Sequence, residues 1–120
     1  MNMMYPKKKT RKRRRRHPES IIQKKNGRCL LCQLLEGDTS IKRGLHKHHI
    51  YGGPNRTVSE ENGFTCYLCR RHHMDGPAAV HNNSDNDNMR MLQKACQKIY
   101  ERRHSRQEFM DLIGRNYLEE

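Results

Sequence analysis

Residues 64–73 read FTCYLCRRHH. The alternation across the first five of them predicts a short strand over 64–68, with Cys66 and Leu68 on one face. Cys69 falls at the end of that strand, where the chain can turn. Cys69 and His72 are then spaced to straddle the turn, as half of a metal site does. An earlier string, CLLC at 29–32, supplies a second half-site. Two ligand sets are open: Cys29, Cys32, Cys66 and Cys69, or Cys29, Cys32, Cys69 and His72. The second is favoured, because it leaves Cys66 as a small buried apolar residue inside the strand. Two half-sites of this spacing suit one tetrahedral Zn²⁺ ion better than two disulfides.

Composition explains why such a staple is needed. Of 120 residues, 32% are hydrophobic and 32% are charged, so the apolar core is thin. A small domain with a thin core gains folding free energy from a structural metal. No apolar run approaches the ~18–20 residues that a membrane span requires. No apolar stretch follows the charged N-terminal block, as a secretion signal would demand. These absences predict a cytoplasmic protein without a membrane partner.

The net charge of +12 is unevenly spread. Residues 7–16, KKKTRKRRRR, carry nine basic residues and no acid. Residues 1–19 are therefore read as a disordered basic arm that cannot bury anything and repels itself. Lys7, Lys8, Lys9, Arg11, Arg13 and Arg14 are its candidate phosphate contacts, with a salt-dependent affinity that ignores base sequence. Nucleic acid is the partner this composition favours.

Working outward along the chain, residues 20–83 hold the cysteines and histidines of interest, and residues 84–120 form a helical extension. Ser20 and Gln23 have the spacing of a capping box, which predicts a short helix before the first half-site. Residues 41–50 read as a strand, 52–55 as a loop, and 59–62 as polar sequence without periodicity. Met91, Leu92, Ala95, Cys96, Ile99 and Tyr100 make one apolar stripe, so a helix is predicted there, with Cys96 in the core. Ser105 and Glu108 form another capping box, opening a helix that carries Phe109, Met110, Leu112 and Ile113 and stops at Gly114. Lys94, Lys98, Arg102, Arg103 and Arg106 are further cations within reach of a phosphate backbone. The fold class is α+β: a small zinc-stapled finger followed by two helices.

Six of the eight histidines lie between Cys29 and His81. Packing has no use for that density. Histidine is the commonest metal ligand and the commonest general base. A structural zinc consumes at most one of them in the favoured set, so enough remain for a second, open metal site of the kind that hydrolysis uses.

The order C-x-x-C (29–32), H-H-I-x-G-G (48–53), E-N (61–62) and L-C-x-x-H-H (68–73) resembles the HNH branch of the His-Me finger, or ββα-metal, endonucleases. It is similar to the small HNH nucleases of bacteriophages and prophages. The resemblance covers residues 28–83, and its specificity lies in order and spacing, with His49 placed 13 residues before Asn62 and 24 before His73.

The resemblance implies a ββα-metal finger that hydrolyses phosphodiester bonds of DNA, by nicking or cutting, in a bacterial host cell close to the nucleoid. It makes His49 the general base, His48 and His73 ligands of a catalytic Mg²⁺ or other divalent ion, and Asn62 the middle residue that fixes the loop or the base. Many members place a further histidine four residues after His73. Pro77 stands there in this chain, and His81 is the candidate to replace it. His46 shares a strand face with His48 and competes with it. Arg56, Arg70 and Arg71 are candidate phosphate contacts. Two alternatives remain: a non-catalytic zinc-knuckle protein that binds nucleic acid, and a nuclease restricted to branched DNA in phage recombination.

Overall fold

The computed structural model describes residues 17–75, 79–81 and 87–118. Residues 1–16, with all the basic side chains of the arm, lie outside the described residues, as do Pro77 and residues 82–86. The architecture is α+β, a two-stranded antiparallel hairpin surrounded by four helices among the described residues. No helix of that set is long and apolar enough to cross a membrane.

Helix α1, Leu30–Glu36, begins on Cys29, whose Sγ accepts from the Cys32 amide at 3.4 Å. It ends at Gly37, which adopts φ +65°. Strand β1, His46–His49, pairs with β2, Thr65–Leu68, so that His48 faces Cys66 and His46 faces Leu68. The strand predicted over 41–50 is therefore shorter than its sequence suggested. Gly44 sits at φ +69°, a left-handed turn that no strand accommodates, and pairing starts only at His46.

Between the strands lies α2, Arg56–Asn62, entered through a 3₁₀ turn at Gly53–Asn55. The sequence over 59–62 showed no period because this helix buries only Ser59 fully. A hydroxyl does the fastening here. Ser59 Oγ donates to the Tyr51 carbonyl at 2.7 Å and accepts from the Tyr51 amide at 3.2 Å. Gly63 then closes α2 at φ +73°, and a Cβ there would stand 2.3 Å from the Glu19 carbonyl oxygen. Only glycine serves at that position.

The helix predicted at Ser20 is absent. The Ser20 half of the cap forms, with Ser20 Oγ accepting from the Ile22 and Gln23 amides at 3.1 Å each, whereas the Gln23 side chain bonds the Arg28 carbonyl and the Tyr67 amide. The chain then prefers the hairpin. Ile21 N–H donates to the Gly63 carbonyl at 2.9 Å, and the Ser20 hydroxyl donates to the Thr65 carbonyl. A local cap loses to tertiary hydrogen bonds that satisfy the backbone beside β2.

After β2 the chain makes one π-helical turn, Arg71–Asp75. Helices α3, Asp87–Tyr100, and α4, Arg106–Ile113, follow, with the predicted capping box of Ser105 and Glu108 in place. Both pack on the hairpin. Leu92, Cys96, Phe109 and Ile113 join Leu31, Ile50, Tyr51, Phe64, Cys66 and Leu68 in one core. The rings of Phe64 and Phe109 flank Tyr51 edge-on at 5.5 and 5.4 Å, and such pairs add about 0.5–1.5 kcal/mol each beyond area burial. Tyr51 Oη donates to the Gln93 carbonyl at 2.5 Å, and Asn55 Nδ2 donates to the Ile113 carbonyl at 3.0 Å. The two C-terminal helices thus complete the core over the two-stranded sheet.

Candidate functional site

Cys29, Cys32, Cys69 and His72 converge, all four ligand atoms lying within 4.8 Å of one another. Cys32 Sγ is 3.7 Å from Cys69 Sγ, and His72 Nδ1 lies 3.6, 3.3 and 3.4 Å from the sulfurs of Cys29, Cys32 and Cys69. A tetrahedron with Zn–S bonds of ~2.3 Å has edges of about 3.8 Å between sulfurs, and somewhat less to a nitrogen. The cluster therefore fits a structural metal such as zinc. Chemistry agrees with geometry. Burial, then hydrogen bonds to Cys29 and Cys69, push the Cys32 thiol up to about 12, so thiolates gather here only if a cation neutralises them. Glu36 closes the outer side, its carboxylate lying 3.5 Å from His72 Nε2 and 2.8 Å from Arg71 Nη2. Such a carboxylate holds a ligating imidazole in the tautomer that frees Nδ1 for the metal.

Cys66 stays out of this cluster. It is fully buried under the hairpin, and burial followed by its neighbours Cys96 and Cys29 pushes its thiol far above the usual range. Of the two ligand sets, the one with His72 is the one the fold assembles.

A second group forms on the other side of the π-helical turn. His48, His73 and His81 each offer a ring nitrogen, and these atoms too lie within 4.8 Å of one another. Ring centroids are 5.4 Å apart for His48 and His73, 5.1 Å for His48 and His81, and 4.5 Å for His73 and His81. His81 returns to the group because the backbone doubles back, with Val80 N–H bonded to the His72 carbonyl at 2.9 Å and His81 N–H to the His73 carbonyl at 3.2 Å. His46 stands beside the trio, its Nδ1 3.0 Å from His73 Nδ1.

His48 is 1% exposed, and neither of its ring nitrogens has a hydrogen-bond partner among the described residues. An unsatisfied buried polar group costs about 1–3 kcal/mol, and a metal ion aimed at by two further imidazoles would remove that cost. Burial, then the charges of His81 and His73, lower the His48 ring to about 3, and burial with His81 and His46 lowers His73 to about 4. Both rings are thus neutral near pH 7, the form that ligates a metal.

The trio opens into a cavity lined also by Lys47, His49, Gly52, Gly53 and Arg56. His49 Nε2 lies 2.7 Å from Glu60 Oε1, and the other oxygen of Glu60 accepts from Lys47 Nζ at 2.7 Å. These hydrogen bonds, from Lys47 first and then His49, hold the Glu60 carboxyl down to about 2. The sequence carries no signal for Glu60, because residues 59–62 show no helical period and the contact with His49 spans eleven residues. Compared with family models, curated proteins and solved structures, the chain matches none.

Asn62 is not brought to this cavity. Its Nδ2 donates to the Val58 carbonyl at 2.8 Å within its own helix, and the residue lines a separate cavity with Pro18, Ile21 and Tyr100. Arg56 is exposed on the rim of the histidine cavity. Arg71 is tied to Glu36 on the zinc-cluster side, and Arg70 is exposed near it in sequence. Lys7, Lys8, Lys9, Arg11, Arg13 and Arg14 fall outside the described residues.

Proposed function

We propose that the protein is a metal-dependent endonuclease of the HNH type acting on DNA, with a structural zinc on Cys29, Cys32, Cys69 and His72. The observation that carries this reading is the convergence of His48, His73 and His81 next to His49 in one cavity. The hairpin followed by a helical turn that delivers His73 supports a ββα-metal finger.

His48, His73 and His81 would hold a divalent ion, which when bound supplies polarisation of a phosphoryl oxygen and stabilises the departing 3′-oxygen. His49 takes the proton from the attacking water. Glu60 accepts the Nε2–H of His49, which leaves Nδ1 as the basic nitrogen and fixes the ring. Arg56 on the cavity rim contacts the phosphate backbone, and the arm adds affinity without selecting sequence.

The test is cleavage of plasmid DNA by the purified chain with added Mn²⁺ or Mg²⁺. Wild-type protein cuts or nicks, and His49→Ala lowers the rate by about 10²–10⁴-fold while both metals stay bound. Equal cutting by His49→Ala overturns the assignment of the base. One tightly held zinc, no second divalent ion and no cutting would instead make the chain a zinc-knuckle binder of nucleic acid.

A further inference from the structure

We propose that α3 carries a second docking surface for the DNA backbone, a ridge made by Lys94, Lys98 and Arg102. The proposal rests on the reading of DNA as substrate, and it adds a surface distinct from the histidine cavity, which none of these three residues lines.

Arg90, Lys94, Lys98 and Arg102 recur at every fourth residue. Each step rises about 6 Å along the helix and turns by about 40°, so the four form one continuous, slowly winding row. Past the end of α3 the chain keeps turning but tightens to a 3₁₀-type bond at Arg102. Glu101 N–H still bonds the Gln97 carbonyl at 2.9 Å, and Arg102 N–H bonds the Ile99 carbonyl at 3.2 Å. The opposite face of the helix, with Leu92, Cys96 and Gln97, is buried in the core. Lys98 and Arg102 are exposed and Lys94 is half-buried.

The charges of this ridge are unspent, as are those of Lys24, Arg43 and Arg56 among the described residues, and what sets it apart is their four-residue recurrence along one helix. Lys42, Lys47, Arg71 and Arg106 each meet a carboxylate, at 3.1, 2.7, 2.8 and 3.3 Å. Lys94, Lys98, Arg102 and Arg103 have no ion-pair partner among the described residues. Among the acids nearby, Asp87 lines a cavity with Lys94 and Lys98, and Glu61 lines another with Arg102 and Arg103. Asp87 stands in the first turn, where the helix dipole favours it, and Glu101 accepts from Gln97 Nε2 at 2.7 Å and from Arg106 at 3.3 Å.

Charge bookkeeping leads to the same place. Residues 87–104 hold five cations and two carboxylates, a net +3, and residues 7–16 hold +9 of the total of +12. The remaining residues balance to zero. This segment therefore carries a local excess, as do residues 41–59 with four cations and no carboxylate. An anionic membrane is the lesser candidate for its occupant. A helix lying on a bilayer inserts its apolar face, and the apolar face of α3 is taken up by the core. A phosphate backbone asks only for a row of accessible cations.

Binding of the full-length protein to a 20-base-pair duplex, measured by fluorescence anisotropy across about 50–200 mM salt without added divalent metal, tests the ridge. Each phosphate contact contributes about 0.9 to the slope of log K against log salt. Lys94→Ala/Lys98→Ala/Arg102→Ala should lower the magnitude of that slope by about 2.7, and the fully exposed pair Lys98→Ala/Arg102→Ala by about 1.8. A charge-matched control, Lys24→Ala/Lys25→Ala/Arg43→Ala, should leave it unchanged. An unchanged slope in both ridge variants, or an equal loss in the control, overturns the ridge while leaving the nuclease reading standing. Failure of the wild type to bind the duplex overturns both. Binding of phosphatidylserine vesicles that is lost in the triple variant, with DNA binding intact, reassigns the ridge to a membrane and overturns the proposal.

Discussion

His72 and His73 are neighbours in sequence and serve different centres. His72 Nδ1 lies 3.3–3.6 Å from three cysteine sulfurs, whereas the His73 ring packs against His81 at 4.5 Å and His48 at 5.4 Å. One helical turn separates the two faces, since successive residues on a helix point about 100° apart. The Cys29, Cys32, Cys69 and His72 cluster therefore fixes the turn from one side and so aims His73 at the other.

That coupling predicts the consequence of removing the structural metal. Chelation, or Cys69→Ser, should unfold the finger and abolish binding of the second metal together with it. Cys66→Ala should keep one full equivalent of zinc and lose only about 1–2 kcal/mol for a trimmed core thiol. Zinc content by atomic absorption and melting by circular dichroism read both. Loss of zinc in Cys66→Ala would restore the four-cysteine set.

The histidine trio predicts a second metal equivalent whose loss leaves the first in place. Co²⁺ added to zinc-loaded protein should bind one further site, and His48→Ala, His73→Ala or His81→Ala should each eliminate it without displacing zinc. Three imidazole nitrogens suit Co²⁺, Zn²⁺ or Mn²⁺ better than Mg²⁺, which prefers oxygen ligands and its own waters. Isothermal titration with each ion ranks them, and a preference for Mg²⁺ over Co²⁺ would count against the trio as the ligand set.

Glu36 should act on the metal through His72, 3.5 Å away, and through Arg71, which reaches Cys32 Sγ at 3.8 Å. Glu36→Ala is expected to weaken zinc binding about 10–100-fold, as loss of an orienting carboxylate does elsewhere. Competition with a chromophoric chelator measures it. An unchanged affinity would mean that the Cys29 and Cys32 half-site positions the imidazole without help.

Glu60 carries a pH signature with a definite sign. Its folded carboxyl is held down to about 2, below its ordinary value near 4.5. A depressed pKa stabilises the fold above the unfolded value and loses that contribution as pH falls through the folded one. Glu60→Gln should therefore be less stable than wild type near pH 7 by on the order of 1 kcal/mol, since the pair is partly exposed to solvent. The gap should close as pH falls from about 4.5 towards 2. Urea titrations of both proteins across that range give the gap directly, and a gap that widens in acid contradicts the contact.

Asn62 supplies the contrasting case. With its amide spent on the Val58 carbonyl, Asn62→Ala should cost about 1 kcal/mol of stability and leave second-metal affinity unchanged. Titration calorimetry distinguishes this from a role as a ligand.

The sequence by itself marked the two half-sites of the metal cluster, the strand at Thr65, the two C-terminal helices and the capping box at Ser105, while the fold chose His72 over Cys66. Each of these is a local matter, decided by ligand spacing, by a period of two or of 3.6 residues, or by a cap three residues from its partner. Tertiary structure decided the rest. The helix Arg56–Asn62 exists because Ser59 hydrogen-bonds Tyr51, and the helix expected at Ser20 does not, because Gly63 and Thr65 claim its polar groups. The convergence of His48, His73 and His81, and the pairing of His49 with Glu60 in place of Asn62, depend on how a hairpin, a π-helical turn and a returning backbone meet in space. Distances between residues far apart in the chain are fixed by packing, and no spacing along the chain encodes them.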